Sequence, residues 1–185
     1  MALSTLALLA AAREAPEEGP AGRWFEEVAQ RAGVARAHSN RSFTNPYAQV
    51  MEGYTALGAA AAVADFDGDG REDVFVTDSA ETGTNLLYRN NGDFTFTEAG
   101  ASAGVAGGND AGNASVDALF FDANGDGRPD LLVVRFGQSL LYENRGDGTF
   151  RDVTKRSGLA PYLNSITAVA FDYDRDGDQI GRAHV

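Results

Sequence analysis

Short apolar runs alternate with acidic, glycine-rich stretches along most of this chain. They fall at residues 58–66, 74–77, 86–89 and 94–98, then again at 116–121, 131–136, 140–143 and 149–154. A further run, 166–171, opens another set. Each is too short for a stable helix and rich in Val, Leu, Phe or Tyr, so each is expected to be a β-strand. The runs at 58–66 and 116–121 carry mostly small or apolar side chains, which suits innermost strands crowded about an axis. Asn91-Gly92, between two runs, predicts a hairpin turn, because both residue types tolerate positive φ.

The sets repeat in sequence as well as in pattern. LLYRNNGDFTF from Leu86 returns as LLYENRGDGTF from Leu140. FEEVAQRAGV from Phe25 returns as FRDVTKRSGL from Phe150, and more loosely as FTEAGASAGV from Phe96. Four short strands recurring every ~50 residues are the signature of a β-propeller blade. The chain is therefore expected to be all-β, a partial β-propeller of four-stranded blades. It holds roughly two complete blades and parts of two others, where a closed propeller needs about 4–8.

Between the first and second strand of each set lies an acidic loop. The first reads DFDGDGRED, with Asp65, Asp67, Asp69 and Asp73 at positions 1, 3, 5 and 9. The second reads DANGDGRPD from Asp122, and a third begins DYDRDGD at Asp172. Like charges this close repel unless a cation sits among them. Hard oxygen donors at alternate positions suit Ca²⁺, which takes 6–8 oxygens at about 2.3–2.6 Å. The glycines let the chain turn tightly enough for the odd positions to converge. In the first loop the four aspartates are read as side-chain ligands and Arg71 as a backbone-carbonyl ligand. An EF-hand is excluded: it needs Glu at position 12, where this chain has Val76 and Val133.

Charge and composition narrow the function. The net charge of -12 and pI of about 4.4 argue against nucleic acid or an anionic membrane as partner, since both demand a basic face. With no cysteine in the chain there is no disulfide, zinc–thiolate site or thiol nucleophile. His38 is the only histidine outside the extreme C-terminus, and no serine near it has a nucleophile setting. No enzyme activity is expected. Arg145-Gly146-Asp147 spells an integrin-binding tripeptide, but it aligns with Asn91-Gly92-Asp93 and reads as a hairpin turn.

Residues 1–22 are expected to be a signal peptide and linker: an apolar stretch ending in small residues, then Glu, Pro, Ala and Gly. No segment is long and apolar enough to predict a transmembrane helix. Residues 36–57, with His38, Arg41, Tyr47, Met51 and Tyr54, interrupt the repeat and read as a long loop, either an ordinary insertion or one on a binding face. Residues 179–185 depart from the repeat and are expected to be a non-native tail on a chain that naturally continues. An open propeller fragment exposes strand edges and apolar faces, so marginal stability is expected.

The DxDGDGxxD loops, Leu57-Gly58-Ala59, NLLYRNNGDFTF and FRDVTKRSGLA resemble FG-GAP/VCBS repeats, and more narrowly the ASPIC/UnbV, cartilage-acidic-protein-like family. The resemblance covers residues 23–178. It implies a secreted or cell-surface β-propeller with integrin-α-type calcium loops. The ligand positions carried over are those of the first loop, with Asp122, Asn124, Asp126, Arg128 (backbone) and Asp130 in the second. In the third, Asp172, Asp174, Asp176 and Asp178 (backbone) match, but Ile180 stands at position 9 where the family has Asp. The expected function is a non-catalytic, extracytoplasmic module for adhesion or for binding a protein or carbohydrate. The alternative is the propeller portion of a secreted polysaccharide lyase or hydrolase whose active site lies in other blades.

Overall fold

The computed structural model describes residues 25–50, 59–159, 161, 163–172 and the backbone of 180–183. The expected signal segment, Met51, Tyr54, Asp174, Asp176, Asp178 and His184 lie outside the described residues.

Strands β1 (Ala61–Ala64), β2 (Asp73–Val76), β3 (Leu86–Asn90) and β4 (Phe96–Glu98) form an antiparallel meander. Strands β5 (Ala114–Phe121), β6 (Asp130–Gly137), β7 (Leu140–Asn144) and β8 (Phe150–Asp152) form a second one in the same order. The registers correspond: Val74 pairs with Tyr88 as Leu131 pairs with Tyr142. A two-residue strand, β9 (Leu163–Asn164), adds to the far end of β6. Strands β10 (Ala168–Phe171) and β11 (Ile180–Ala183) pair antiparallel, so part of the stretch set apart by sequence as a tail lies in a β-ladder. Strand β5 lies beside both β1 and β10, the arrangement expected of first strands gathered about an axis.

Three single turns of helix, which the strand pattern did not predict, follow the repeated Phe motif, the second and third directly after β4 and β8. These are α1 (Ala29–Ala32), α2 (Gly100–Ala103) and α3 (Thr154–Ser157). One scheme builds all three. A carboxylate two residues ahead accepts the first helical N–H: Glu27 from Ala29 at 2.7 Å, Glu98 from Gly100 at 2.7 Å and Asp152 from Thr154 at 2.9 Å. A left-handed glycine, Gly33, Gly104 or Gly158, ends the turn. After the first two, the valine N–H returns to the helix start, Val34 to Ala29 and Val105 to Gly100, both at 2.9 Å. That is a Schellman closure. The threefold sequence match beginning at Phe25, Phe96 and Phe150 thus ends each time in a capped helical turn, entered from a strand at the last two.

The two meanders pack face to face. Phe75 and Leu87 of the first sheet and Leu131 and Val133 of the second are fully buried in one core with Phe66, Val105 and Phe150. Phe66 stacks on Phe150 at 5.9 Å, and Phe75 meets Phe120 edge-on at 6.5 Å. The opposite face of the second sheet presents Leu132, Val134 and Leu141, packed with Leu159 and Ala168. Among the described residues no helix is long and apolar enough to cross a membrane.

The stretch read as a long loop is partly structural. Arg41 is buried, and its guanidinium donates to the carbonyls of Asp110 and Asn113 while lying over the Phe43 ring. Its partners are backbone oxygens of the connection between the two sheets, so it is not a free cation on a binding face. Tyr47 is exposed.

Candidate metal centre

The two complete acidic loops run from the end of a first strand to the start of a second. Both are built on carboxylates that accept their own backbone N–H groups. Asp65 receives Gly68 at 2.8 Å, Asp69 at 3.0 Å and Gly70 at 2.8 Å. Asp122 receives Gly125 at 2.8 Å, Asp126 at 3.1 Å and Gly127 at 2.7 Å. This winding needs left-handed backbone at positions 4 and 6, and glycine stands at all four places: Gly68, Gly70, Gly125 and Gly127. Positions 3 and 5 repeat the scheme two residues on. Asp67 and Asn124 accept from Asp69 and Asp126, and these in turn accept from Arg71 and Arg128.

Position 9 closes each loop from the strand side. Asp73 is fully buried; its two oxygens accept from Phe66 at 3.1 Å and Asn90 at 2.7 Å. Asp130 takes Ala123 at 3.0 Å and Asn144 at 2.7 Å. One carboxylate therefore joins the loop start, the second strand and the end of the third.

The structure brings Asp65, Asp67 and Asp73 together, with one oxygen from each within 4.8 Å of the others. Asp69 stands apart from that cluster, in an ion pair with Arg71, as Asp126 does with Arg128. Asp172 follows β10 directly. Every side-chain donor of the first loop is a carboxylate oxygen, so the chemistry fits a hard cation such as Ca²⁺ and not a thiophilic metal.

Electrostatics distinguish the ends of the loop. Burial holds the Asp73 and Asp130 carboxyls above their ordinary range, and the neighbouring loop aspartates add to the rise. At Asp122 burial also pushes upward, but backbone donors from Gly127, Asp126, Gly125 and Asn124 together bring the carboxyl below its usual value. Asp122 is thus prepared as an anion by its own loop, whereas position 9 is a costly buried anion that a cation would relieve.

Sequence reasoning gave no role to two asparagines and to the arginine side chains. Asn90 and Asn144 end their third strands, each donating a backbone N–H to the position-9 aspartate and accepting from Gly92 or Gly146 at the hairpin. The signal was present, since both close the repeated LLYRN/LLYEN motif. The hairpin also differs from expectation. The positive φ values fall at Gly92 and Phe94, not at Asn91. Asp93 accepts both the N–H and hydroxyl of Thr95, at 3.0 and 2.5 Å, which draws the turn out to five residues closed by Asn91 and Thr95. Asp147 does the same with Thr149, so the tripeptide at 145–147 is turn architecture.

A four-stranded antiparallel meander with an acidic loop between its first two strands, repeated with those first strands side by side, defines a β-propeller-like repeat protein. The FG-GAP-like repeat family model matches residues 65–133 and again 122–179, and the chain belongs to that family. Cartilage acidic protein 1 of Homo sapiens is 36% identical over 102 residues, which is 52% of this chain and 14% of that protein. The chain thus matches only a small part of that relative's length.

Proposed function

We propose that this chain is a non-catalytic, calcium-binding part of a β-propeller that works outside the cytoplasm, in adhesion or in binding a protein or carbohydrate. The observation that carries the reading is the convergence of Asp65, Asp67 and Asp73, with the same hydrogen-bond scheme in the second loop. Membership of the FG-GAP-like repeat family supports a repeat module. Asp65, Asp67, Asp69, Asp73 and the Arg71 carbonyl would hold one ion. Asp122, Asn124, Asp126, Asp130 and the Arg128 carbonyl would hold a second, and Asp172, Asp174, Asp176 and Asp178 belong to a third loop. Bound Ca²⁺ neutralises the carboxylates and cross-links the loop to the second strand. Affinity on the order of 0.1–1 mM is expected for an extracellular site of this kind.

Calorimetric Ca²⁺ titration of the chain, against a variant carrying Asp67→Ala and Asp126→Ala, tests the reading. Saturable binding that the double variant loses is expected. A chain that is folded by circular dichroism yet shows no calcium response would reduce the loops to plain acidic turns.

A further inference from the structure

Position 7 of each loop needs only a backbone carbonyl to serve as a ligand, yet the Arg71 and Arg128 side chains make the same three contacts. Each Nε donates to a third-strand carbonyl, Arg71 to Asn90 at 2.9 Å and Arg128 to Asn144 at 3.2 Å. Each guanidinium pairs with the outer carboxylate oxygen at position 5, Asp69 or Asp126. Each stem passes beneath a hairpin glycine so closely that a Cβ on Gly92 or Gly146 would lie 3.1 Å from the arginine Cδ. Any larger residue at either glycine would crowd the arginine. The hairpin and the arginine are shaped for one another, twice over.

Asp65, Asp67 and Asp73 converge, and Asp69, held by Arg71, does not. We propose that Arg71 and Arg128 are built-in counter-cations. Each holds the position-5 carboxylate while the loop is empty, fastens the loop to the hairpin, and yields that carboxylate when Ca²⁺ binds. The inference rests on the calcium reading above. A guanidinium beside the site repels a second cation and competes for one of its ligands, so it weakens calcium binding while stabilising the empty loop. The partly exposed position of both arginines keeps the effect modest and sensitive to salt.

The test uses the whole chain in three forms: wild type, Arg71→Gln with Arg128→Gln, and Arg71→Lys with Arg128→Lys. Calcium affinity is read by calorimetry at low and high salt, and melting temperature in EDTA. The glutamine variant is expected to bind Ca²⁺ about two- to fivefold more tightly at low salt, with the gain shrinking at high salt. Its melting temperature in EDTA should fall, and calcium should raise it by more than in the wild type. Lysine keeps the charge without the planar fork, so it should keep wild-type affinity yet still lower the melting temperature in EDTA. Should the double glutamine variant be unfolded without calcium, Arg71→Gln alone carries the comparison. Glutamine variants with unchanged or weaker affinity would overturn the proposal while leaving the calcium reading standing. A wild-type chain without calcium binding would overturn both.

Discussion

The two sheets share strand order, register and loop chemistry, yet they are buried differently. In β6 every residue from Asp130 to Arg135 is buried. Its odd positions, Leu131 and Val133, face the first sheet, while Leu132 and Val134 face the packing around β10. In β2 burial alternates: Asp73 and Phe75 are fully buried, Val74 and Val76 only half. The outward face of the first sheet borders a cavity of about 270 Å³, lined by Val74, Val76, Leu86 and Tyr88 and partly covered by Val34 and Ala37. Corresponding second strands are thus buried on both faces in one sheet and on one face in the other. Stability of such a sheet comes from its neighbours, as in other repeat architectures.

The largest effects should expose that asymmetry. Phe75→Ala empties a fully buried site between the sheets and should cost about 3–5 kcal/mol; Val74→Ala, one residue away on the open face, should cost about 1 kcal/mol or less. In the second sheet the neighbours should behave alike, Leu131→Ala and Leu132→Ala each costing about 2–4 kcal/mol. Urea denaturation at fixed calcium measures all four. Equal losses at Phe75 and Val74 would show that the first sheet is covered on both sides in solution.

A smaller pair asks where the sheets are the same. Asp73→Ala and Asp130→Ala each orphan two backbone N–H donors at buried strand ends, which should cost about 2–3 kcal/mol in EDTA. Removing a buried anion relieves part of its own desolvation penalty, which holds the loss below that of Phe75. The geometry predicts nearly equal values for the two residues. A clear difference would mean that one loop depends on more than its own strand, and the fuller burial around Asn144, which also donates to the Phe66 carbonyl at 2.8 Å, makes Asp130 the place to look.

What the sequence revealed follows from which interactions are local. The strand runs were legible because each blade strand is a short apolar segment bounded by Asp and Gly, and the acidic loops between first and second strands because their spacing lies within nine consecutive residues. The short helices escaped because a single turn has no helical periodicity. They are fixed by a carboxylate before and a glycine after, and the repeated FEEVAQRAGV pattern contained both without revealing the conformation. Strand β9 has only two residues and borrows its ladder from β6. The arginine contacts were illegible because the carbonyl partner of Arg71 lies 19 residues on, across a hairpin. The structural role of Arg41 depends on backbone oxygens about 70 residues away, which no local pattern encodes.

The finest difference between the sheets is one residue at the hairpin tips. Gly148 sits at φ 79° in the second, and its counterpart in the first is Phe94 at φ 63° with 91% of its surface exposed. A left-handed conformation costs a non-glycine residue roughly 1–2 kcal/mol, and a ring so exposed recovers little of that by burial. Phe94→Gly should therefore stabilise the chain, by about 0.5–1 kcal/mol once the added freedom of the unfolded glycine is subtracted. Gly148→Phe should destabilise it by a similar amount, because the two turns are otherwise closed alike by Asp–Thr pairs. Chemical denaturation of the two reciprocal variants reads both signs. If Phe94→Gly instead loses stability, the ring must be packed in solution. The groove beside it, lined by Val28, Arg31 and Phe96, is where that packing would lie, and the first sheet would then owe part of its cover to a side chain that the second sheet does without.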